Sequence, residues 1–250
     1  MKPLAVQLYT LRAEAEQDFA AVLRRVADIG YMGVETAGFY GHDVKDVAKL
    51  AGDLGLVICS SHSELPTPDN IGRIVEMAQT LGVTRIIGGM GPDEFTTLDA
   101  CKNSAVKFEQ AAELLKPYGI TLSFHNHGWE FTRVGGRYVY DILMEETTLL
   151  TSELDVYWAA YAKADPVKIV SQYKSRIPLL HIKDGDMLEA QPMTAVGSGV
   201  VPIPEIINAA DPEALKWLIV ELDSYAGDMF EAVETSYEYL TSQGLALGNK

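Results

Sequence analysis

The chain has 250 residues, of which 48% are hydrophobic, so it can bury a large core. Its 35 acidic residues outnumber 20 basic ones, and the formal net charge is −15. A nucleic-acid backbone or an anionic membrane needs a cationic face on its partner, so this charge argues against both partners. Solubility is a sufficient explanation for the acidity.

The cysteine content and the N-terminal sequence both bear on the compartment. Cys59 and Cys101 form neither a CxxC motif nor a disulfide framework, which fits a reducing environment. The N-terminal residues lack the continuous apolar segment of a signal peptide, since Gln7 interrupts them early. No stretch of about 20 apolar residues is present that could cross a membrane. The sequence therefore predicts a soluble, cytoplasmic protein.

Short apolar runs alternate with segments of helical periodicity along the whole chain. The predicted order is strand 4–8, helix 18–29, strand 33–37, helix 43–54, strand 56–60, helix 70–81, strand 85–89, helix 98–118, strand 121–127, helix 139–146, strand 149–156, helix 166–174, strand 177–182, helix 204–209, strand 217–222 and helix 229–241. Four of these helices are followed by a glycine that is suited to a C-cap, namely Gly30, Gly55, Gly82 and Gly119.

The strand pattern indicates the fold class. The strands are continuous apolar runs rather than alternating ones, as in a parallel sheet that is buried on both faces. Eight strand–helix units of this kind close into a (β/α)8 TIM barrel, whose typical length is about 250 residues. An open doubly wound sheet is the rival, but the turn at residues 9–12 lacks the G-x-G-x-x-G fingerprint. No linker divides the chain, so we predict a single TIM-barrel domain over residues 1–250.

Several predicted strands begin with apolar residues and end in acids or imidazoles. The carboxyl ends of barrel strands face one mouth, so we expect these side chains to converge there. A lone acid or histidine at a strand end is more often a helix cap or a loop residue, but four of the five histidines fall at such ends and only His42 lies elsewhere. The polar groups at strand ends are Gln7, Glu35, His62, His125, His127, Glu130, Asp155, His181, Lys183, Glu221 and Asp223.

This set of side chains suits one divalent metal ion. Two or three carboxylates with one imidazole match Mn, Zn, Co or Mg. Such an ion could hold two vicinal sugar oxygens, polarise a carbonyl and stabilise an enediolate, while a carboxylate on each face of the substrate moves protons. Lys183 is expected either to neutralise an oxyanion or to pair with Asp184. Tyr157 and Trp158 offer a flat wall for a sugar ring, with a place in the core as the alternative.

Six short segments carry a family resemblance, in order along nearly the whole chain. They are QLYTLR at 7–12, HNH at 125–127 with EF at 130–131, LDVYW at 154–158, HIKD at 181–184, VGSG at 196–199 and VELD at 220–223. Together they resemble the sugar phosphate isomerase/epimerase family of xylose-isomerase-like TIM barrels. Members of that family include ketose 3-epimerases, inosose dehydratases and lyases acting on 3-keto-glycosides.

The resemblance also implies roles for individual residues. It implies a metal ion held by Glu130, Asp155, His181 and Glu221, with Glu130 and Glu221 as the catalytic pair that transfers protons. In the epimerase branch of the family the first ligand lies at the strand end itself, where this chain has His125. His125 is therefore the alternative to Glu130 as first ligand. The residues expected to contact substrate are His62, His125, His127, Trp158 and Lys183.

Four functions follow from these patterns. We expect a metal-dependent sugar isomerase or epimerase, with proton transfer next to a carbonyl. The alternative, which the sequence does not separate, is a lyase or dehydratase of a keto-sugar, keto-inositol or 3-keto-glycoside. An abasic-site endonuclease would need more ligands and a basic groove, and a non-catalytic sugar-binding barrel would not need a complete ligand set.

The expected partner is a small-molecule carbohydrate. Whether that carbohydrate is phosphorylated stays open, since Gly197 and Gly199 suit either a phosphate cradle or a simple turn. A homo-oligomer also stays open, because the aromatic-rich residues 225–239 suit either an interface between copies of the chain or the core.

Overall fold

The computed structural model describes residues 1–250 and contains a closed barrel of eight parallel strands. The first and last barrel strands pair in register, with Leu4 opposite Leu218, so the barrel has no open edge. This confirms the predicted (β/α)8 fold. The barrel strands are β1 (Lys2–Gln7), β2 (Gly33–Thr36), β3 (Val57–His62), β4 (Arg85–Gly88), β5 (Thr121–His125), β6 (Thr151–Asp155), β7 (Leu179–Ile182) and β8 (Trp217–Val220).

Nine helices follow the strands and cover the outside of the barrel. None of them is both long and apolar enough to cross a membrane. Two short antiparallel strands, Arg133–Val134 and Arg137–Tyr138, form a hairpin between β5 and the next helix. The helices are α1 (Arg12–Ile29), α2 (Val44–Asp53), α3 (Ile71–Leu81), α4 (Leu98–Leu115), α5 (Val139–Glu145), α6 (Val156–Tyr161), α7 (Pro166–Tyr173), α8 (Ile203–Ala209) and α9 (Met229–Ser242).

Two helices differ from the sequence prediction for local reasons. Helix α1 begins at Arg12 and is interrupted at Asp18, whose φ of −153° and ψ of 87° are not helical. The Asp18 carboxylate then accepts the backbone N–H of Ala21, so apolar periodicity detected only the second half of α1. Helix α6 was not predicted. It starts directly after β6 because the Asp155 carboxylate caps it, accepting the backbone N–H of Trp158 at 2.8 Å.

Most of the core lies between the barrel and its helices, in one cluster of 64 buried residues. A separate cluster of four residues, Ala5, Ile87, Leu179 and Ile219, comes from inward-facing strand positions. Side chains alternate faces along a strand, so the inward residues two positions later are Gln7, His181 and Glu221 on three of these strands. The barrel interior therefore changes from an apolar floor to a polar mouth within two residues along these strands.

The aromatic residues near the C-terminus pack inward rather than forming an exposed face. Phe230 and Tyr237 of α9 are buried, and the ring of Tyr237 lies 5.2 Å from that of Tyr31. The hydroxyl of Tyr31 donates to the backbone carbonyl of Val233 at 2.8 Å. These aromatic side chains therefore belong to the core, and self-association stays a prediction.

The closeness of β2 to its neighbours leaves no room for a side chain at Gly33. A Cβ there would lie 2.6 Å from the carbonyl oxygen of Val57 and 2.9 Å from the ring of Trp217. We expect Gly33→Ala to destabilise the protein by about 1–3 kcal/mol, because the barrel must open slightly to admit the methyl group. The measurement is the midpoint of thermal or urea denaturation. Gly52→Ala in α2 is the control, since no atom lies within 4 Å of its Cβ. A midpoint for Gly33→Ala equal to that of the control would contradict this account.

Candidate metal centre and active site

Four buried side chains bring ligand-type atoms together at the mouth of the barrel. His125, Asp155, His181 and Glu221 each offer one atom, and these atoms all lie within 4.8 Å of one another. The residues come from four consecutive barrel strands, β5 to β8, at or just beyond their carboxyl ends. Two imidazoles and two carboxylates form a donor set that suits a divalent ion such as Zn, Mn or Co.

The Asp155 carboxylate supports the fit of a cation to this donor set. Its Oδ2 atom is buried and accepts no hydrogen bond, although Lys183 Nζ lies 2.9 Å away. Lys183 is thus the charged partner of this oxygen but makes no aligned hydrogen bond to it, and a metal ion would give the oxygen a direct ligand bond. Burial raises the pKa of Asp155 to about 6, against the opposing effect of Lys183. For Glu221, Lys183 and His181 outweigh burial and hold the pKa well below its ordinary value.

Lys183 is buried and pairs with three carboxylates at the mouth. Its Nζ lies 2.9 Å from Asp155 Oδ2, 2.6 Å from Glu221 Oε2 and 3.0 Å from Asp223 Oδ2. Burial would lower the pKa of Lys183, but these carboxylates raise it, so the ammonium stays charged. The expected pair with Asp184 does not form, because Lys183 and Asp184 are consecutive and their side chains leave the backbone on opposite sides.

A second layer of carboxylates lies below the mouth, and Glu153 is at its centre. Glu153 is fully buried on β6, two residues before Asp155 and on the same face of the strand. Its Oε2 atom lies 3.0 Å from His62 Nε2, 3.3 Å from His125 Nδ1 and 3.2 Å from His181 Nε2. One carboxylate oxygen thus contacts three imidazoles.

Glu35, at the end of β2, is the other carboxylate of this layer. Its Oε1 atom accepts a hydrogen bond from Gln7 Nε2 at 2.6 Å and lies 2.7 Å from His181 Nε2. The hydroxyl of Ser60 donates to Glu35 Oε2, and His62 Nε2 lies 3.1 Å from Oε1. Glu35 is therefore fully buried, yet each of its oxygens has a polar partner.

The three inner imidazoles differ in their charge state. Burial lowers the pKa of His125 to about 3, so this ring is neutral and has a lone pair for a metal ion. Burial also acts to lower the pKa of His62, but Glu35 and Glu153 reverse that effect and raise it to about 10. For His181 the surrounding carboxylates likewise outweigh burial and raise the pKa well above its ordinary value.

Glu130 belongs neither to the four ligand-type side chains at the mouth nor to the group that Glu153 forms with its three imidazoles. Its Oε2 accepts the backbone N–H of His127 at 2.8 Å, and its Oε1 is 4.0 Å from His127 Nδ1. Strand β5 ends at His125, so Glu130 lies in a separate turn, Trp129–Phe131, and its carboxylate is used within its own loop. The resemblance implied that Glu130 lies beside Asp155, His181 and Glu221, but the structure does not bring it there. His125 occupies that position.

The residues expected to contact substrate all line one cavity of about 370 Å³ at the mouth, a size typical of ligand pockets. Trp158 forms part of its wall, and its indole N–H donates to Asp223 Oδ2 at 3.2 Å. Tyr157 is buried in the core instead. The cavity is lined by Gln7, Tyr9, Ala37, His62, Gly89, His125, His127, Trp158, Lys183, Glu221 and Asp223.

Sequence reasoning missed Glu153 and assigned no role to Glu35. The signal for Glu153 was present, since a carboxylate lies two residues before Asp155, in the middle of the predicted strand 149–156. The alternation of side chains along a strand puts both acids on one face. What the sequence did not indicate is that three imidazoles from other strands surround Glu153.

The glycine-rich segment after β7 is a turn held by Asp184. The Asp184 carboxylate accepts backbone N–H groups of Gly197, Gly199 and Val201, each at 3.0 Å, and that of Gly185 at 2.9 Å. These N–H groups are the ones that a phosphate cradle would need. The turn interpretation of this segment therefore holds, and the phosphate interpretation finds no free donors there.

The closed barrel and its ligand cluster place the protein in a known class of TIM barrels. The family described as the xylose isomerase-like TIM barrel matches residues 23–243, so the chain belongs to that family. Among solved structures, a sugar phosphate isomerase/epimerase from Parabacteroides distasonis is 30% identical, with a TM-score of 0.83. The alignment covers 98% of this chain and 96% of that chain. No curated protein matches the chain in sequence.

Two further structures share the fold at lower identity. The IOLI protein with a binding zinc atom is 16% identical with a TM-score of 0.77, and 98% of each chain is covered. The probable 3-DHS dehydratase AsbF, involved in petrobactin synthesis in Bacillus anthracis, is 14% identical with a TM-score of 0.76. That alignment covers 96% of this chain and 99% of that chain. At these identities the similarity concerns the fold alone.

The hydrogen bonds that the Asp184 carboxylate accepts from the backbone predict how the loop after β7 responds to a substitution of Asp184. Asp184→Asn would put an amide N–H₂ against backbone donors and remove the negative charge that they share, which costs about 1–3 kcal/mol. We expect a lower melting temperature and faster limited proteolysis between residues 185 and 201. Asp186→Asn, at an exposed position, is the matched control. Equal proteolysis rates in the two variants would contradict the role of Asp184.

Proposed function

We propose that the protein is a metal-dependent enzyme of carbohydrate metabolism that transfers a proton next to a carbonyl group, as a sugar isomerase or epimerase. The observation that carries this proposal is the convergence of His125, Asp155, His181 and Glu221 on one point at the barrel mouth. These four residues would hold one divalent ion of the Mn, Zn, Co or Mg type. When bound, such an ion supplies a Lewis acid that polarises a substrate carbonyl.

Glu221 is the group that we assign to proton abstraction. Its carboxylate lines the cavity and is held at 2.6 Å by Lys183 Nζ and at 2.7 Å by His181 Nδ1. Its depressed pKa keeps it ionised but also makes it a weaker base, so it would take a proton that a bound metal ion has made more acidic. Lys183, charged and also at the cavity wall, would stabilise the negative charge that develops on a substrate oxygen.

His127 is the group that we assign as the second proton carrier, in place of Glu130. It lines the same cavity, and its side chain is 36% exposed. Its ring stacks on Trp129 at 4.0 Å, and Glu130 holds its backbone N–H, so its orientation is fixed. An imidazole is the side chain that most often serves as a general acid or base, which suits this task. Glu130 thus acts through His127 rather than on the substrate.

The similarity to the sugar phosphate isomerase/epimerase supports this assignment, since that protein matches almost the whole chain at 30% identity. The zinc atom bound by the IOLI protein supports a metal ion in a barrel of the same fold. The cavity offers few apolar groups and many hydrogen-bonding ones, as a carbohydrate requires. The lack of free backbone donors in residues 197–201 favours a sugar that is not phosphorylated at that end.

A lyase or dehydratase is the second candidate, and one feature of the mouth favours it. A cleft of about 360 Å³ adjoins the cavity and shares His127 and Trp158 with it. Trp129 and Tyr161 also line this cleft, which could accept an apolar leaving group. Proton abstraction by Glu221 would then be followed by expulsion of a group from the β-carbon. The dehydratase of similar fold supports the same alternative.

The metal site predicts a defined stoichiometry. After dialysis against Zn(II) or Mn(II), the purified protein should retain one ion per chain by mass spectrometry of the elements. Loss of a residue that hydrogen-bonds to a ligand costs about 10–100-fold in metal affinity. His181→Ala removes a ligand itself, so its affinity should fall by more than that. Glu130→Gln should keep the wild-type affinity. Retention of metal by His181→Ala together with its loss from Glu130→Gln would contradict the proposed ligand set.

The proton-transfer role predicts the effect of Glu221→Gln. With a panel of ketoses, keto-inositols and 3-keto-glycosides, turnover should fall by at least about 10²–10⁴-fold while the circular dichroism spectrum is unchanged. Glu234→Gln, the same change at an exposed position of α9, should have no effect. Wild-type turnover in Glu221→Gln would refute the assignment.

The products of the same assay separate the two candidate functions. An isomerase or epimerase yields a product of unchanged mass. A lyase or dehydratase yields a product that has lost an aglycone or water, and mass spectrometry distinguishes these results.

A further inference from the structure

Two buried imidazoles connect the mouth of the barrel to the carboxylates below it. His125 Nε2 faces Asp155 Oδ2 at 3.9 Å, while its Nδ1 lies 3.3 Å from Glu153 Oε2, close to it but without an aligned hydrogen bond. His181 is turned the other way. Its Nδ1 lies 2.7 Å from Glu221 Oε2, while its Nε2 lies 2.7 Å from Glu35 Oε1 and 3.2 Å from Glu153 Oε2. Each ring therefore has one nitrogen toward the proposed metal ligands and the other toward a buried carboxylate.

We infer that Glu153 and Glu35 are positioning residues that set opposite tautomers in the two imidazole ligands, so that His125 binds the metal ion through Nε2 and His181 binds it through Nδ1. An imidazole that binds a metal ion has given up its second proton, so it is neutral and has one N–H and one lone pair. Donation of the N–H to a carboxylate leaves the lone pair on the other nitrogen, and it also makes the ring a better ligand. The inference rests on the proposed metal site.

Imidazoles are the only basic side chains that contact Glu153. Glu153 Oε2 contacts His62, His125 and His181, its Oε1 accepts no hydrogen bond, and no lysine or arginine lies within 4.0 Å of the carboxylate. Burying one ion away from water costs roughly several kcal/mol unless its partners compensate the charge. Stability of the barrel alone would not require this carboxylate.

The register of the sheet supports the same conclusion. Glu153 pairs with Leu179 on β7, so it lies at the level of the apolar floor of the barrel. A residue such as leucine fills this level on the neighbouring strand. On its other side Glu153 pairs with His125 on β5. Glu153 therefore stands at the level of an apolar floor residue, with its carboxylate within 3.3 Å of both imidazole ligands.

His62 links the two lower carboxylates. Its Nε2 atom lies 3.0 Å from Glu153 Oε2 and 3.1 Å from Glu35 Oε1. Gln7 and Ser60 hold Glu35 from its remaining sides. These contacts restrict the rotation of both carboxylates, which in turn restricts the rotation of the imidazoles above them.

The first test compares Zn(II) affinity in Glu153→Gln with that in Glu130→Gln, by competition with a chromophoric chelator. Both variants replace a buried glutamate by glutamine, but the Glu130 carboxylate hydrogen-bonds only to the backbone N–H of His127. We expect a loss of about 10–100-fold for Glu153→Gln and no loss for Glu130→Gln. Glu35→Gln should also weaken binding, since it removes a partner of His181.

The second test determines the tautomers directly in wild-type protein loaded with Zn(II) and labelled with ¹⁵N-histidine. Long-range ¹H–¹⁵N correlation should show the proton of His125 on Nδ1 and that of His181 on Nε2. The five histidines are few enough to assign by single substitution. This spectrum needs no substitution at Glu153 or Glu35, so it decides the question even if Glu153→Gln does not fold.

The outcomes separate this inference from the proposed function. Wild-type Zn(II) affinity in Glu153→Gln, or the same tautomer in both rings, would overturn the inference and leave the metal site in place. Failure of the wild-type protein to bind any divalent ion would overturn both.

Discussion

The site depends on mutual compensation among charges that the barrel removes from water. Lys183 and three imidazoles lie among five carboxylates at and below the mouth, and few of these groups reach solvent. The carboxylates are Glu35, Glu153, Asp155, Glu221 and Asp223. Breaking a buried ion pair by removing one partner costs about 3–5 kcal/mol, because the other charge stays buried. Each of these side chains is therefore constrained by its own partners in the cluster, which gives the rigid geometry that a metal site would require.

The same cluster links packing to the chemistry that we propose. Inward positions of the strands carry apolar residues at the floor and polar residues one repeat higher, so the cavity has a dry base and a charged rim. The layered order of Glu153, then His181, then Glu221 follows from this repeat across three neighbouring strands. An acidic excess at the rim favours a divalent cation. In the lyase that we propose as the second candidate, the aromatic cleft beside it would hold the apolar leaving group.

The replacement of a carboxylate by His125 at the end of β5 has a consequence for the reaction. An epimerase that uses two carboxylates would need one on each face of the sugar, and only Glu221 of the expected pair reaches the cavity. With His127 as the second proton carrier, the two faces of a bound sugar would be chemically different. One face would meet the ionised Glu221, which pairs with Lys183, and the other would meet the His127 ring, which stacks on Trp129. This asymmetry suits a one-directional proton transfer or an elimination as well as an epimerisation.

The sequence by itself determined the (β/α)8 fold, the eight strands and most of the strand-end groups, because apolar periodicity and strand alternation are local properties that single segments carry. It also identified Asp155, His181 and Glu221 as neighbours, since strand ends of a barrel meet at one mouth. Only the tertiary structure placed His125, rather than Glu130, beside these three residues, because that placement depends on where β5 stops and how the next loop turns. The contacts of Glu153 with imidazoles from three other strands were likewise set by barrel register and closure, which no single segment encodes.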